Sequence, residues 1–169
     1  IVVLCDVSGS VYTMAKVMLT LIYSLSSQFR QVRSFAFIDD MVEITAYFEN
    51  DEMEETVERV LQDHWKNGVA SSDYGQAFRE FESDYMSIVG PRSTVIIFGD
   101  ARNNGRLTEH HIVEQMKKRA KRLLWLNPER SDSWNMGDSE VNAYLPFCTE
   151  FRECRNYDQL EEFIHKLSA

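Results

Sequence analysis

Apolar residues recur along this chain in two rhythms, unbroken runs rich in β-branched side chains and helically spaced positions. Ile1-Val2-Val3-Leu4-Cys5 is a run closed by Asp6, the pattern of a strand buried on both faces. Val11, Met14, Ala15, Met18, Leu21, Ile22, Leu25 and Phe29 then follow a helical period, which predicts one long helix over 11–29. Segments 34–38 and 41–48 read as two strands, with Asp39-Asp40 as the turn between them. Asp51-Glu52-Met53-Glu54-Glu55 places carboxylates where they favour the positive end of a helix running to about His64. A small-residue loop from Trp65 leads to a helix with Ala77, Phe78, Phe81, Tyr85 and Ile88 facing inward, and Ser71, Ser72 and Asp73 each qualify as its cap.

Gly90-Pro91 ends that helix, and 93–98 repeats the opening design, a buried β-branched strand that delivers Asp100 beyond its carboxyl end. Asn103-Asn104-Gly105 reads as a turn. Thr108 and Glu109 open a further helix that ends in Lys117-Lys118-Arg119-Ala120-Lys121-Arg122, cations suited to the negative end of a helix. Leu123 to Leu126 is another buried strand, terminated by Asn127-Pro128. After a polar loop, Asp138 and Ser139 are expected to cap a short helical piece carrying Val141 and Tyr144. The stretch 147–154 reads as a last strand, and Tyr157, Leu160, Phe163, Ile164 and Leu167 make a closing helix. Strands alternating with helices imply an α/β fold: an open, mostly parallel, doubly wound sheet with helices on both faces and one antiparallel edge strand from the early hairpin.

The 169 residues suit a single domain, 1–169, with a substantial core. Because Ile1 opens inside a strand, that domain is read as excised from a longer chain. Eighteen basic against 27 acidic residues give a net charge of −9, which argues against a nucleic-acid partner. The apolar run from Val17 to Leu25 is far too short to span a bilayer. Three cysteines, Cys5, Cys148 and Cys154, are an odd number without zinc spacing, so buried thiols in a reducing, cytoplasmic compartment are expected.

Candidate chemistry gathers in Asp6-Val7-Ser8-Gly9-Ser10, where one carboxylate and two hydroxyls stand at alternate positions just beyond a strand. Open parallel sheets bind ligands there, and oxygen donors without nitrogen or sulfur suit a hard cation such as Mg²⁺ or Mn²⁺. The pattern resembles the metal-ion-dependent adhesion site of von Willebrand factor A (VWA) domains. That resemblance continues in the Ser71-Ser72-Asp73-Tyr74-Gly75 loop and at Asp100 in Phe98-Gly99-Asp100-Ala101-Arg102-Asn103-Asn104. Asp73 to Gly75, Gly99 to Asn104, Leu126 to Glu129 and the tail with Gly137-Asp138-Ser139, Tyr144, Pro146 and Cys148 are similar to the CoxE-like branch of that family. Members of that branch usually carry an additional N-terminal region. Ser72 stands where the family generally has Thr, and Ala101 where Gly is frequent.

The resemblance implies a Rossmann-like VWA fold, with metal ligands Asp6, Ser8, Ser10, Ser72 and Asp100. It also implies a Mg²⁺ or Mn²⁺ cofactor whose coordination a partner's Asp or Glu completes. CoxE-like proteins resemble partners of MoxR-type AAA+ ATPases that mature metal centres of client enzymes, so an ATPase and a client are the implied partners of a non-enzymatic adaptor. The rival expectations are a Mg²⁺-dependent phosphohydrolase using Asp6 and a metal-free scaffold. Haloacid-dehalogenase-like sites generally want a second Asp where this chain has Ser8, and no P-loop or nucleophile elbow is present. His110 and His111 are read as a solvated pair in the first turns of a helix.

Overall fold

The computed structural model describes residues 1–49, 52–64 and 71–168. Six strands, β1 (Val2–Asp6), β2 (Arg33–Phe37), β3 (Met41–Glu43), β4 (Thr94–Phe98), β5 (Arg122–Asn127) and β6 (Glu150–Glu153), form one sheet in the order β3-β2-β1-β4-β5-β6. Only the β2–β3 pair is antiparallel. Apolar runs become the inner strands because both faces of the sheet are covered. Val3, Cys5, Ile96, Phe98, Leu124 and Leu126 pack under α1 (Tyr12–Gln28), α2 (Met53–His64) and α6 (Tyr157–Ser168). Their sequence neighbours Leu4, Val95, Ile97, Leu123 and Trp125 point the other way, to α3 (Tyr74–Asp84), α4 (His110–Arg119) and α5 (Val141–Tyr144). The period of two along each strand thus sorts the core into two layers.

The chain runs from β1 to β2 through α1 on one face, and from β4 to β5 through α4 on the other. The winding therefore reverses between the adjacent strands β1 and β4, and their following loops part there, leaving a crevice at the carboxyl ends. Asp6 ends β1 and Asp100 follows β4, so the reversal sets both carboxylates at one crevice.

Several local expectations need correcting. The second hairpin strand stops at Glu43, and Thr45–Phe48 forms a 3-10 turn instead. Ile44 and Phe48 are buried while Ala46 between them is exposed, which breaks the period of two that a strand burying Ile44 and Phe48 on one face would keep. Thr45 Oγ1 also accepts the Ser34 N–H at 3.0 Å. The last strand is shorter than 147–154, because Leu145–Phe147 is a 3-10 turn with Pro146 near its start. Asp138 and Ser139 do not cap α5: Glu140 holds the cap position without a side-chain bond. Asp138 pairs instead with Arg102 at 2.7 Å, and Ser139 Oγ accepts the Asn135 N–H. Among the three candidate caps of α3, Asp73 takes the role, accepting the Gln76 N–H at 2.9 Å. Asp51 and residues 65–70 of the second loop lie outside the described residues.

His110 and His111 are exposed, as expected, with the His110 ring stacked on Phe147. Cys5 and Cys154 are buried thiols, and Cys148 is half-buried. Among the described residues, no helix is long and apolar enough to cross a membrane.

Candidate metal centre

The structure brings the first, second and third loops together at the crevice. Asp6 is fully buried at the end of β1; its Oδ1 accepts the Ser8 N–H at 2.8 Å and its Oδ2 accepts the Tyr74 hydroxyl at 2.6 Å. Ser10 reaches across from the first loop to donate to Asp100 Oδ2 at 2.7 Å, and the Ser8 and Ser10 hydroxyl oxygens stand 3.3 Å apart. Asp100 Oδ1 accepts the Arg102 N–H at 2.9 Å. Above this floor lies a cavity of about 230 Å³ lined by Ser8, Ser10, Ser72, Arg102, Asn104 and Asp138, among others. Asp6, Ser8, Ser10, Ser72 and Asp100 therefore occupy one place, with the carboxylates below and the serines at the cavity wall.

Close backbone approach makes this packing possible. A Cβ on Gly99 would stand 2.0 Å from the Tyr74 hydroxyl and 3.0 Å from Asp6 Cβ, so only glycine admits the phenol between β1 and β4. Ala101 adopts a φ of 60°, a left-handed conformation in which an L-residue is strained by about 1–2 kcal/mol. Its N–H donates to the Tyr74 hydroxyl at 3.2 Å. Trp125 Nε1 and Asn127 Nδ2 hold the same loop by its Gly99 and Asp100 carbonyls, at 2.9 and 3.3 Å.

Burial first, and then the Asp100 charge, push the Asp6 carboxyl up to about 7, against the donors Tyr74 and Ser8 that hold it down. Burial likewise raises Asp100, opposed by the Arg102 N–H and the Ser10 hydroxyl. Burial and both carboxylates drive the Tyr74 phenol well above its ordinary range. The floor of the cavity thus concentrates negative charge that its own donors offset only in part. Among the described residues there is no group of three or more His, Cys, Asp or Glu side chains with metal-ligand geometry. The donor set is instead two carboxylates and serine hydroxyls, and that oxygen-only, anionic set fits a hard divalent cation.

Spacing alone could not find Tyr74, which enters this site from the first residue of α3. Nor did it find Arg102, whose guanidinium spans Glu129 and Asp138 at 2.7 Å each and donates to the Met136 carbonyl at 3.2 Å. That guanidinium ties the fourth loop, after β5, to the third. The signal for both residues was their place in motifs shared with a family.

A doubly wound sheet in this order, with Asp-x-Ser-x-Ser after its first strand and an aspartate after its fourth, defines a von Willebrand factor A domain. Within that class the chain belongs to the family described as VWA domain containing CoxE-like protein, whose model matches residues 1–163. No curated protein matches it in sequence. Among solved structures it is similar to a von Willebrand factor type A protein from Catenulispora acidiphila, with a TM-score of 0.64, 11% identity, and coverage of 99% of this chain and 41% of that one. It is also similar to proximal thread matrix protein 1 from the mussel byssus with a zinc-occupied MIDAS motif, where MIDAS denotes the metal-ion-dependent adhesion site. That match has a TM-score of 0.63, 14% identity, and coverage of 98% and 46%. Manganese-loaded TRAP protein from Plasmodium vivax matches with a TM-score of 0.60, 14% identity, and coverage of 96% and 70%. At these identities the likeness is one of fold, and the chain spans less than half the length of the mussel and Catenulispora proteins.

Proposed function

We propose that this domain is a metal-dependent protein-interaction module, an adaptor rather than an enzyme. Its rim site would hold Mg²⁺ or Mn²⁺, with the Ser8, Ser10 and Ser72 hydroxyls on the ion and Asp6 and Asp100 on its waters. When bound there, the cation would supply Lewis acidity toward a carboxylate brought by another protein. The observation that carries this reading is the hydrogen-bonded group of Ser8, Ser10 and Asp100 above buried Asp6. Neutral hydroxyls at the cavity wall leave the ion's charge less compensated than direct carboxylates would, which favours an Asp or Glu from a partner. The zinc-occupied MIDAS motif of the mussel protein and the manganese-loaded state of the Plasmodium protein support the choice of a divalent ion.

The same reading extends to a MoxR-type AAA+ ATPase and a client metalloenzyme as partners, on the strength of membership in the CoxE-like family. Free thiols and the expected reducing setting support a cytoplasmic location. The phosphohydrolase alternative needs an accessible Asp6 nucleophile. Asp6 is instead fully buried, with each oxygen already accepting a hydrogen bond. Calorimetric titration with Mn²⁺ and Mg²⁺ tests the metal: heat of binding is expected from the wild type and none from Asp6→Ala. A pull-down of the full-length protein, with and without EDTA, tests the module. Partners that remain in EDTA would overturn the metal-dependent account in favour of a metal-free scaffold.

A further inference from the structure

The Arg102-Asn103-Asn104 motif and the Arg106 that follows it have contacts that the metal reading leaves unexplained. Asn104 has a φ of 54°, and its Nδ2 donates to the Ser72 carbonyl at 2.9 Å. Arg106 Nη1 donates to the Ser71 carbonyl at 3.1 Å and lies 3.4 Å from that of Ser72, while pairing with Asp73 at 3.7 Å. Asn103, fully buried, accepts the Tyr74 N–H on its Oδ1 at 2.9 Å. Its Nδ2 is spent on the Arg106 and Leu107 carbonyls at 2.7 and 2.8 Å, so the third loop is braced before it grips the second. Every residue from Ser71 to Tyr74 thus takes a contact from the segment 103–106.

We propose that Asn104 and Arg106 are positioning residues, which hold the second-loop backbone so that the Ser72 hydroxyl faces Ser8, Ser10 and Asp100. This inference rests on the metal-site reading above. The chemistry of Ser72 makes such a clasp necessary. Threonine at this place would carry a γ-methyl that restricts rotation of its hydroxyl, and serine lacks it. Serine chooses among three staggered rotamers fixed relative to its own backbone, so where the Ser72 hydroxyl can reach follows from where its Cα is held. Asn104 grips the carbonyl of that same residue, and both Asn104 and Ser72 line the cavity.

Mn²⁺ affinity, measured by electron paramagnetic resonance, tests this in a double-mutant cycle of Asn104→Gly and Ser72→Ala. Glycine keeps the positive φ while deleting the donor. In the wild-type background, Asn104→Gly is expected to weaken Mn²⁺ about three- to tenfold, the range for one net hydrogen bond. In the Ser72→Ala background its effect falls below about twofold, because no hydroxyl is left to misplace. Arg106→Ala, at an exposed side chain, should show the same dependence on background and guards against misfolding of the first variant. Equal factors in both backgrounds would overturn the positioning role and leave the metal reading standing. A wild-type protein that binds no Mn²⁺ would overturn both.

Discussion

Replacing Asp6 with asparagine removes a buried ionisable group while keeping an oxygen for the Ser8 N–H. In the metal-free domain the Asp6 carboxyl is raised from 3.8 to about 7, chiefly by burial and then by Asp100. A raised carboxyl means that the folded state holds its proton more tightly than the unfolded state. Stability is therefore greatest below the unfolded value and falls as pH rises from about 4 toward 7, levelling off above. Shifting from 3.8 to about 7 corresponds to a loss on the order of 4 kcal/mol across that window. Asparagine abolishes this loss but forfeits the acceptor for the Tyr74 hydroxyl at 2.6 Å, which costs about 1–3 kcal/mol. Near pH 5 the wild type has already lost about 1.6 kcal/mol, so Asp6→Asn is expected to lie within about 1.5 kcal/mol of it there and to be more stable by about 1–3 kcal/mol near pH 8. Urea denaturation followed by circular dichroism, in EDTA and at steps from pH 5 to pH 8, measures both. Mn²⁺ added at pH 8 should raise the wild-type midpoint and leave that of Asp6→Asn where it is. A wild-type stability no more sensitive to pH than that of the variant would refute the reasoning, as would a variant less stable at pH 8.

Gly99→Ala drives a methyl to 2.0 Å from the Tyr74 hydroxyl, and because Asp6 and Ala101 hold that phenol, about 3 kcal/mol of stability should be lost, read as a lower urea midpoint. Phe78→Ala empties a space among Phe37, Tyr74, Trp125 and Tyr144, and a loss of about 3–5 kcal/mol is expected in the same assay. With p-nitrophenyl phosphate and Mn²⁺ the wild type should release nitrophenol no faster than buffer; metal-dependent turnover that vanishes in Asp6→Asn would instead establish the phosphohydrolase.

The β-branched runs at 2–5 and 94–98 and the helical period over 11–29 were legible because burial imposes periodicity directly on sequence. The α/β class and the convergence of Asp6 and Asp100 on one rim follow from alternating strands and helices, which place every strand end alike. Local capping was less legible. Asp73, Asp138 and Ser139 have the composition of caps and Glu109 stands at a cap position, yet only Asp73 caps with its side chain, while Asp138 and Glu109 are drawn to Arg102 and Arg79. A charged partner brought up from 36 or 30 residues away outbids a neighbouring backbone N–H, and sequence spacing carries no record of it.

Sequence by itself determined the inner strands, the longer helices and the oxygen-donor chemistry of the first loop, since each depends on residues close together along the chain. Only the tertiary structure decided that strand winding reverses between β1 and β4, that the Tyr74 phenol enters over Gly99 to join both carboxylates, and that Asn104 and Arg106 hold the loop of Ser72. Those contacts join residues far apart in the chain, and their geometry exists only once the two faces of the sheet are packed.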